Sequence, residues 1–219
     1  MLHELRAFDT AASAAHRAAA FIVERAEQAI LAKGTFSMAV SGGHTPWPMF
    51  EALTTMPMPW ALTTIYQVDE RAVRAQSAER NLTNLQRSLG TIEANIVAMP
   101  VEHDLVKGSR DYEAHLPDWF DLIHLGLGPD GHTASLIPDD PVLEVTDRLV
   151  SATSAYQGHR RMTLTYPALA RSEQLLWLIT GHDQRDALAR LLAGDASIPA
   201  GRVVSSRSLI IADPSALDT

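Results

Sequence analysis

The amino-acid sequence predicts an α/β protein: a single domain built on a mostly parallel, twisted sheet with helices on both faces. Short apolar runs alternate along the chain with segments that repeat apolar residues at helical spacing. The run FDLIHLGLG at residues 120–128 is largely apolar, as expected for a central strand buried on both faces. The 219 residues, 46% of them hydrophobic and 20% charged, suffice for one such domain with a sizeable core.

The first element is predicted to be a helix over residues 9–32. Alanine and isoleucine residues recur at helical spacing between Ala11 and Ile30, so one helix face is apolar. Gly34 follows at the position where a glycine commonly ends a helix. We therefore expect a long amphipathic helix that packs on the sheet.

The next unit consists of a strand over residues 35–40, a glycine turn over 41–46, and a helix that Thr45 caps and that begins at Pro46. Further strands are predicted over residues 63–68, 95–99, 120–128, 161–165, 174–180 and 208–212. Further helices are predicted over residues 78–89, 103–116 and 183–193. Strands joined through helices run parallel, so we expect ligands at the carboxyl ends of the strands.

The composition narrows the possible chemistry. The chain has 26 acidic and 18 basic residues, a net charge of −8, which is a poor electrostatic footprint for nucleic acid. The absence of cysteine excludes disulfides, thiolate metal sites and a cysteine nucleophile. We expect neither a membrane-spanning segment nor a secretory signal, and therefore a cytoplasmic location. An anionic ligand would need positive charge concentrated locally against the overall charge of the protein.

The glycine loop GLGPDGHTAS at residues 126–135 has the G-x-G-x-x-G spacing of a dinucleotide turn. Asp130 would place a carboxylate beside the two phosphates, and two prolines cut the helix expected after the loop to about two turns, which disfavours a nucleotide. Asp130 and His132 can instead form a pair in which the carboxylate fixes the tautomer of an imidazole general base. The alternative is a turn aspartate that caps the short helix beside a histidine bonded locally.

Two further loops follow predicted strands. In SGGHTP at residues 41–46, Gly42 and Gly43 allow backbone amides and the following helix N-terminus to bind an anion. The loop lacks a Walker lysine, so a monophosphate suits it better than a nucleoside triphosphate, while a tight turn without ligand is equally compatible. In VDERAV at residues 68–73, Arg71 can bind phosphate or carboxylate oxygens, although a surface ion-pair cluster with Asp69 and Glu70 is the simpler explanation.

Other common site patterns are absent. Ala39 stands where a G-x-S-x-G nucleophile elbow needs its first glycine before Ser41, so a serine acyl-enzyme is not indicated. There is no H-E-x-x-H sequence, and the nine histidines show no ligand spacing, so we expect no metal. The three loops therefore remain the candidate site, with a functional and a purely structural interpretation open for each.

Together the three loops resemble those of the 6-phosphogluconolactonases, relatives of the glucosamine-6-phosphate deaminases. The matching segments, from about residue 35 to 190, are SGGHTP, VDERAV, ERNLTNL, FDLIHLGLGPDGHTASLIP, RRMTLTYPAL and TGHDQRDAL. The resemblance implies a Rossmann-like fold of the deaminase/lactonase type, occupying residues 1–219 as one phosphosugar lactonase domain. It also implies hydrolysis of 6-phospho-D-glucono-1,5-lactone without a required cofactor.

The same resemblance assigns the site residues. His132 would be the base that activates water, and Asp130 would orient it. Relatives often carry a phosphate-binding lysine where this chain has Gln184, and the neighbouring Arg185 is the candidate replacement. The residues implied to bind substrate are Gly42, Gly43, Thr45, Asp69, Arg71, Arg80, Asn81, Arg161 and Arg185.

Two alternatives remain open. The deaminases usually have D-E-Y where this chain has D-E-R, and I-A-F-N-E where it has TASLIP, so the lactonase is favoured. A catalytically silent phosphosugar sensor would be expected to carry a DNA-binding or partner segment, which we do not expect before Asp9 or after Asp213. We expect a small phosphorylated sugar lactone as the partner, no nucleic acid or membrane, and a monomer or small homo-oligomer.

Overall fold

A computed structural model describes residues 3–43 and 45–217. The strands in chain order are β1 (Glu4–Ala7), β2 (Phe36–Val40), β3 (Thr63–Gln67), β4 (Asp69–Arg71), β5 (Asn95–Val97), β6 (Leu122–Leu125), β7 (Val150–Ala152), β8 (Arg161–Leu164), β9 (Leu175–Ile179) and β10 (Ser208–Ala212). The α-helices are α1 (Ala11–Lys33), α2 (Trp47–Thr54), α3 (Asn81–Leu89), α4 (Leu105–Glu113), α5 (Tyr166–Leu169) and α6 (Arg185–Leu192). Single 3₁₀ turns cover Trp60–Leu62, Pro141–Glu144, His182–Gln184, Pro199–Arg202 and Pro214–Ala216.

Seven strands form one parallel sheet in the order β1-β10-β9-β6-β2-β3-β5. Strand β6 lies at its centre, and all four of its residues are buried. Strands β4, β8 and β7 form a smaller antiparallel sheet. The predicted α/β class, with a mostly parallel sheet, is confirmed.

Helices cover both faces of the large sheet. Alternate residues of a strand point to opposite faces, so Leu122 of β6 packs with α1, α2 and α3, whereas Ile123 packs with α4, α5 and α6. The small antiparallel sheet contributes Met162 and Leu164 to the second of these cores. The two cores hold the sheet rigidly from both sides and leave its carboxyl edge open to a ligand.

Helix α1 begins and ends close to the predicted residues. Its N-terminus is a capping box, in which the Ser13 amide donates to Thr10 Oγ1 at 3.0 Å and the Thr10 amide donates to Ser13 Oγ at 3.0 Å. Gly34 ends the helix with φ of 84°, a left-handed conformation that glycine adopts without strain. No helix in the described ranges has the length and apolar character needed to cross a bilayer.

Several predicted boundaries are wrong. Helix α2 begins at Trp47 with Pro46 as its N-cap residue and has no side-chain cap, and Thr45 lines a cavity instead of capping the helix. Helix α3 starts at Asn81, three residues late, because the Glu70 carboxylate accepts its first amides. The strand predicted over residues 161–165 is confirmed as β8 (Arg161–Leu164), but it pairs with β4 and β7 in the small antiparallel sheet and not with the large sheet.

The short helix predicted after the 126–135 loop is also wrong. The chain there forms turns, with an isolated bridge between Thr133 and Leu136, and its next helical segment is the 3₁₀ turn at Pro141–Glu144. Ala134 has a φ of 51°, a left-handed conformation that stops a helix from propagating from His132.

Candidate active site

A cavity of about 380 Å³ opens at the carboxyl ends of β2, β3, β6 and β9. This is the edge at which a parallel sheet of this kind binds ligands. The predicted site residues that line it are Gly42, Gly43, Thr45, Asp69, Arg71, Asn81, His132 and Arg161. The structure thus brings together residues of the three loops and Arg161 of β8, which are far apart in the sequence.

His132 and Asp130 form a hydrogen-bonded pair at the cavity. His132 Nδ1 lies 2.5 Å from Asp130 Oδ1, and the His132 backbone amide donates to the same oxygen at 3.1 Å. Burial raises the pKa of Asp130, but the hydrogen bonds from His132 and from Tyr156 outweigh it, so the pKa lies well below its usual range. The carboxylate is therefore charged and can only accept, which places the imidazole proton on Nδ1. Nε2 is left with a lone pair that can accept a proton from water.

Gly128 is required by the closeness of this pair. A Cβ atom on Gly128 would collide with Cε1 and Nδ1 of the His132 ring, and φ at this residue is not in the left-handed region. The constraint is therefore steric, since the imidazole occupies the space that a side chain at residue 128 would need. Hydrogen bonds fix the loop further, because Gly128 N donates to His132 O at 2.9 Å and Thr133 Oγ1 donates to Gly126 O at 2.8 Å.

Two arginines bring positive charge into the cavity. Arg71 of β4 and Arg161 of β8 are directly opposite each other in the antiparallel pair. Arg71 Nη1 donates to the Glu79 carbonyl at 2.9 Å, which orients this side chain. The Arg161 side chain is buried, and burial lowers its pKa. Its hydrogen bonds, to Ser135 Oγ and Gln157 Oε1, are both 3.4 Å long, so most of its donor capacity can serve an anion.

Asp69 lies beside the two guanidinium groups. Ser135 Oγ donates to Asp69 Oδ2 at 2.5 Å, and Asn81 Nδ2 donates to Oδ1 at 3.2 Å. Burial raises the pKa of Asp69, against the effects of Ser135 and Arg161. Asn81 is in turn packed against Gly42, where a Cβ atom would collide with its amide. The glycine turn and the Asp69 strand end are therefore held as one unit.

His124 is a buried residue of the cavity lining that the sequence did not single out. It lies in β6, its Nδ1 accepts from the Ser41 amide at 3.3 Å, and its ring meets Phe50 edge-on at 6.0 Å. Burial lowers the pKa of His124 to about 3, so the ring is neutral, and within residues 3–43 and 45–217 its Nε2 finds no partner. The neutral ring supports the start of the 41–46 turn.

Arg80 does not reach the cavity. Its side chain is buried, with Nε 3.2 Å from Glu70 Oε2 and Nη1 2.7 Å from Glu102 Oε1. The same Glu70 carboxylate accepts the backbone amides of Asn81 and Leu82 at the start of α3. The structure thus gives Arg80 a supporting place behind Asn81, in contrast to the predicted contact with substrate.

Arg185 is likewise absent from the cavity lining, whereas Gln184 is part of it. Gln184 is the N-terminal cap of α6 and Arg185 is its first residue, and consecutive residues at a helix start point in different directions. The structure therefore does not bring Arg185 to the position where the resemblance places a lysine. No three His, Asp or Glu side chains among the described residues cluster as metal ligands.

Tyr156 is a further neighbour of the site that the sequence did not reveal. Its hydroxyl donates to Asp130 Oδ2 at 3.0 Å. It precedes a tight turn at Gln157 and Gly158, and a glycine after a polar residue between two short strands is a hairpin signal that could have located it. No periodicity or spacing indicates that this hairpin reaches the 126–135 loop.

The fold and the cavity define an α/β protein that carries a histidine–carboxylate pair and two arginines at the carboxyl edge of a parallel sheet. A family model described as glucosamine-6-phosphate isomerases/6-phosphogluconolactonase matches residues 9–211. The chain therefore belongs to the glucosamine-6-phosphate isomerase/6-phosphogluconolactonase family, as the loop segments predicted.

Individual relatives agree with this assignment. A 6-phosphogluconolactonase from Synechocystis sp. is 34% identical over 195 residues, covering 82% of this chain and 81% of the relative. Another from Nostoc sp. is 32% identical over 190 residues, covering 80% and 79%. The crystal structure of 6-phosphogluconolactonase from Thermotoga maritima is similar at a TM-score of 0.87 and 28% identity, covering 96% of this chain and 99% of that one.

Proposed function

We propose that this chain hydrolyses 6-phospho-D-glucono-1,5-lactone to 6-phospho-D-gluconate, the lactone-opening step of the oxidative pentose phosphate pathway. The observation that carries the proposal is the His132–Asp130 pair, 2.5 Å apart, on a cavity that also holds two guanidinium groups. A base next to an anion site suits an ester that bears a phosphate. The 6-phosphogluconolactonases among the relatives support this substrate.

The chemical step uses His132 as a general base. Nε2 takes a proton from water as the water oxygen bonds to the lactone carbonyl carbon. The charged Asp130 carboxylate stabilises the imidazolium that forms. When the bond from the carbonyl carbon to the ring oxygen breaks, the imidazolium returns its proton to that oxygen. One water is consumed, and the open-chain acid leaves with the base restored.

The rate acceleration that this step requires of the protein is modest. A lactone is an activated ester, and a positioned general base contributes about 10²- to 10⁴-fold, with further acceleration from orientation of the bound substrate. No covalent intermediate and no cofactor is needed for this chemistry. The buried environment around the cavity strengthens each of these electrostatic interactions.

The phosphate is assigned to the other polar groups of the cavity. Arg71 and Arg161 supply two guanidinium groups, and the turn with Gly42 and Gly43 supplies small residues and backbone amides. Thr45, Asp69 and Asn81 remain available to the sugar hydroxyl groups. We do not assign substrate contacts to Arg80 or Arg185, because neither lines the cavity.

We further propose that residues 1–219 act as one phosphosugar lactonase domain, in the cytoplasm, as a monomer or small homo-oligomer. The lack of cysteine means that the fold needs no disulfide, which suits a reducing compartment. Light scattering of the purified protein would determine the oligomeric state, and cell fractionation would determine the location.

A paired assay tests the activity. The purified protein should accelerate loss of freshly prepared 6-phosphogluconolactone after spontaneous hydrolysis is subtracted, and it should release no ammonia from glucosamine 6-phosphate. Ammonia release without lactone hydrolysis would make the chain a deaminase. Tight phosphosugar binding with neither activity would make it a sensor.

A further inference from the structure

Tyr156 makes contacts with both functional parts of the cavity. Its hydroxyl donates to Asp130 Oδ2 at 3.0 Å, its ring meets that of His132 edge-on at 5.8 Å, and the Arg161 guanidinium carbon lies 5.1 Å from its ring centre. We propose that Tyr156 is a positioning residue that couples the proton-accepting pair to an anion-binding arginine. This inference rests on the proposed function. It concerns a residue to which the proposed mechanism assigns no chemical step.

The hairpin between β7 and β8 holds Tyr156 in this place. The Tyr156 amide donates to the His159 carbonyl at 2.9 Å, and the His159 amide donates back at 3.2 Å. Gln157 and Gly158 between them have φ of 49° and 84°, typical of a type I′ turn. His159 Nε2 also lies 3.1 Å from Glu79 Oε1, in the segment whose backbone carbonyl binds Arg71. The tip of the hairpin is therefore anchored on two sides.

The hydroxyl of Tyr156 affects the base through the carboxylate. Asp130 gives one oxygen to His132 and the other to Tyr156, so the two donors share its charge. A hydrogen bond to one carboxylate oxygen withdraws charge from the other and weakens its hold on an imidazolium. Without the hydroxyl, the carboxylate stabilises protonated His132 more strongly. The base then takes up its proton at a higher pH, and less of the enzyme is active in mildly acidic solution.

The ring of Tyr156 affects the anion site. An arginine over an aromatic face is attracted by the negative charge of that face, and the planar contact restricts the guanidinium. Among the described residues, the side-chain hydrogen bonds of Arg161 to Ser135 and Gln157 are both 3.4 Å long, so the contact with the Tyr156 ring helps to hold its guanidinium in place. Loss of the ring should therefore weaken substrate binding, whereas loss of the hydroxyl alone should not.

The chain offers a matched control in Tyr166. Its hydroxyl also donates, to the Pro199 carbonyl at 2.9 Å, and its ring also lies under an arginine, Arg202, with the guanidinium carbon 4.9 Å from the ring centre. Neither residue lines the cavity. Tyr166→Phe thus removes a hydrogen-bonded hydroxyl from a tyrosine that also lies under an arginine, but at a place outside the cavity.

The test compares pH profiles of kcat/KM for lactone hydrolysis in wild type, Tyr156→Phe, Tyr156→Leu and Tyr166→Phe. For Tyr156→Phe we expect the acid limb to move to higher pH by about half a unit or more, with KM within about twofold. Tyr156→Leu should show the same displacement and a KM raised about fivefold. Tyr166→Phe should keep the wild-type profile. A Tyr156→Phe profile that superimposes on wild type, or that moves no more than that of Tyr166→Phe, would overturn the inference.

An NMR titration separates this inference from the proposed function. The ring resonances of His132, assigned from their loss in His132→Gln, should show proton uptake at higher pH in Tyr156→Phe than in wild type. This displacement does not depend on turnover. A wild type without lactonase activity would refute the function, and an unchanged His132 titration in Tyr156→Phe would refute the coupling.

Discussion

Arg71 and Arg161 lie directly opposite each other across the antiparallel pair of β4 and β8, and both line the same cavity. Two like charges side by side repel, so this arrangement is stabilised when an anion lies between or beside them. In a protein of net charge −8, the pair provides the local positive charge that an anionic ligand needs.

Replacing either arginine should chiefly impair substrate binding. We expect Arg71→Ala and Arg161→Gln each to raise KM by about 10- to 100-fold, as for the loss of a hydrogen-bonded charge, with a smaller change in kcat. Steady-state kinetics with the lactone measures both. Arg74→Ala, at an exposed arginine outside this cavity, is the control and should leave KM unchanged. Equal loss of kcat in Arg71→Ala and Arg161→Gln with an unaltered KM would contradict this role.

A methyl group at Gly128 should displace the base. In Gly128→Ala the Cβ atom takes the space of the His132 ring, so we expect kcat/KM to fall about 100-fold while the protein stays folded. Circular dichroism and kinetics check the two parts of this prediction. Gly126→Ala is the comparison in the same loop, because its Cβ would meet no atom within 4 Å and so would leave the His132 ring in place. Gly126 also lines the cavity, so its effect should be on KM and not on kcat. Near-normal kcat in Gly128→Ala would show that the ring position is not important.

The buried neutral ring of His124 should make stability depend on pH. Burial lowers its pKa from 6.5 to about 3, so the unfolded chain binds a proton that the folded chain refuses. This contribution to stability is complete above pH 6.5 and is lost as the pH falls toward 3, by up to about 1.4 kcal/mol per pH unit.

Urea unfolding of wild type and His124→Leu between pH 7 and 4 measures this dependence. The unfolding free energy of wild type should decrease more steeply on acidification than that of His124→Leu. His16→Leu, at an exposed histidine of α1, should retain the wild-type slope. If His124→Leu lost stability in parallel with wild type, the ring would not be neutral and buried as described.

A lysine at residue 184 should strengthen phosphate binding. Gln184 lines the cavity and Arg185 does not, so an ammonium group at residue 184 can reach the anion site. We expect Gln184→Lys to lower KM about threefold or more at low ionic strength, with less effect in high salt. Arg185→Gln should change KM by less than about twofold. The opposite order of effects would mean that Arg185 replaces the lysine.

The sequence predicted most of the sheet and the contact between Asp130 and His132 because those signals are local. Buried parallel strands such as β6 are apolar runs, and Asp130 and His132 are two residues apart. The places of Arg80 and Tyr156 depend on contacts with Glu70, Glu102 and Asp130 that are distant in the sequence, so no periodicity reveals them. The contacts of Glu70 are likewise too distant in the sequence to be predicted. Its carboxylate organises the start of α3 from a distance of 11 and 12 residues, which looks like a surface ion pair in the sequence.

The most direct test of the account compares turnover with product binding in His132→Asn. Asparagine keeps a polar side chain of similar reach but cannot accept the proton from water, so kcat should fall by about 10²-fold or more. The Kd for 6-phosphogluconate, measured by calorimetry, should stay within about threefold of wild type, because the phosphate contacts are intact. Similar small changes in both quantities would contradict the assignment of His132 as the base.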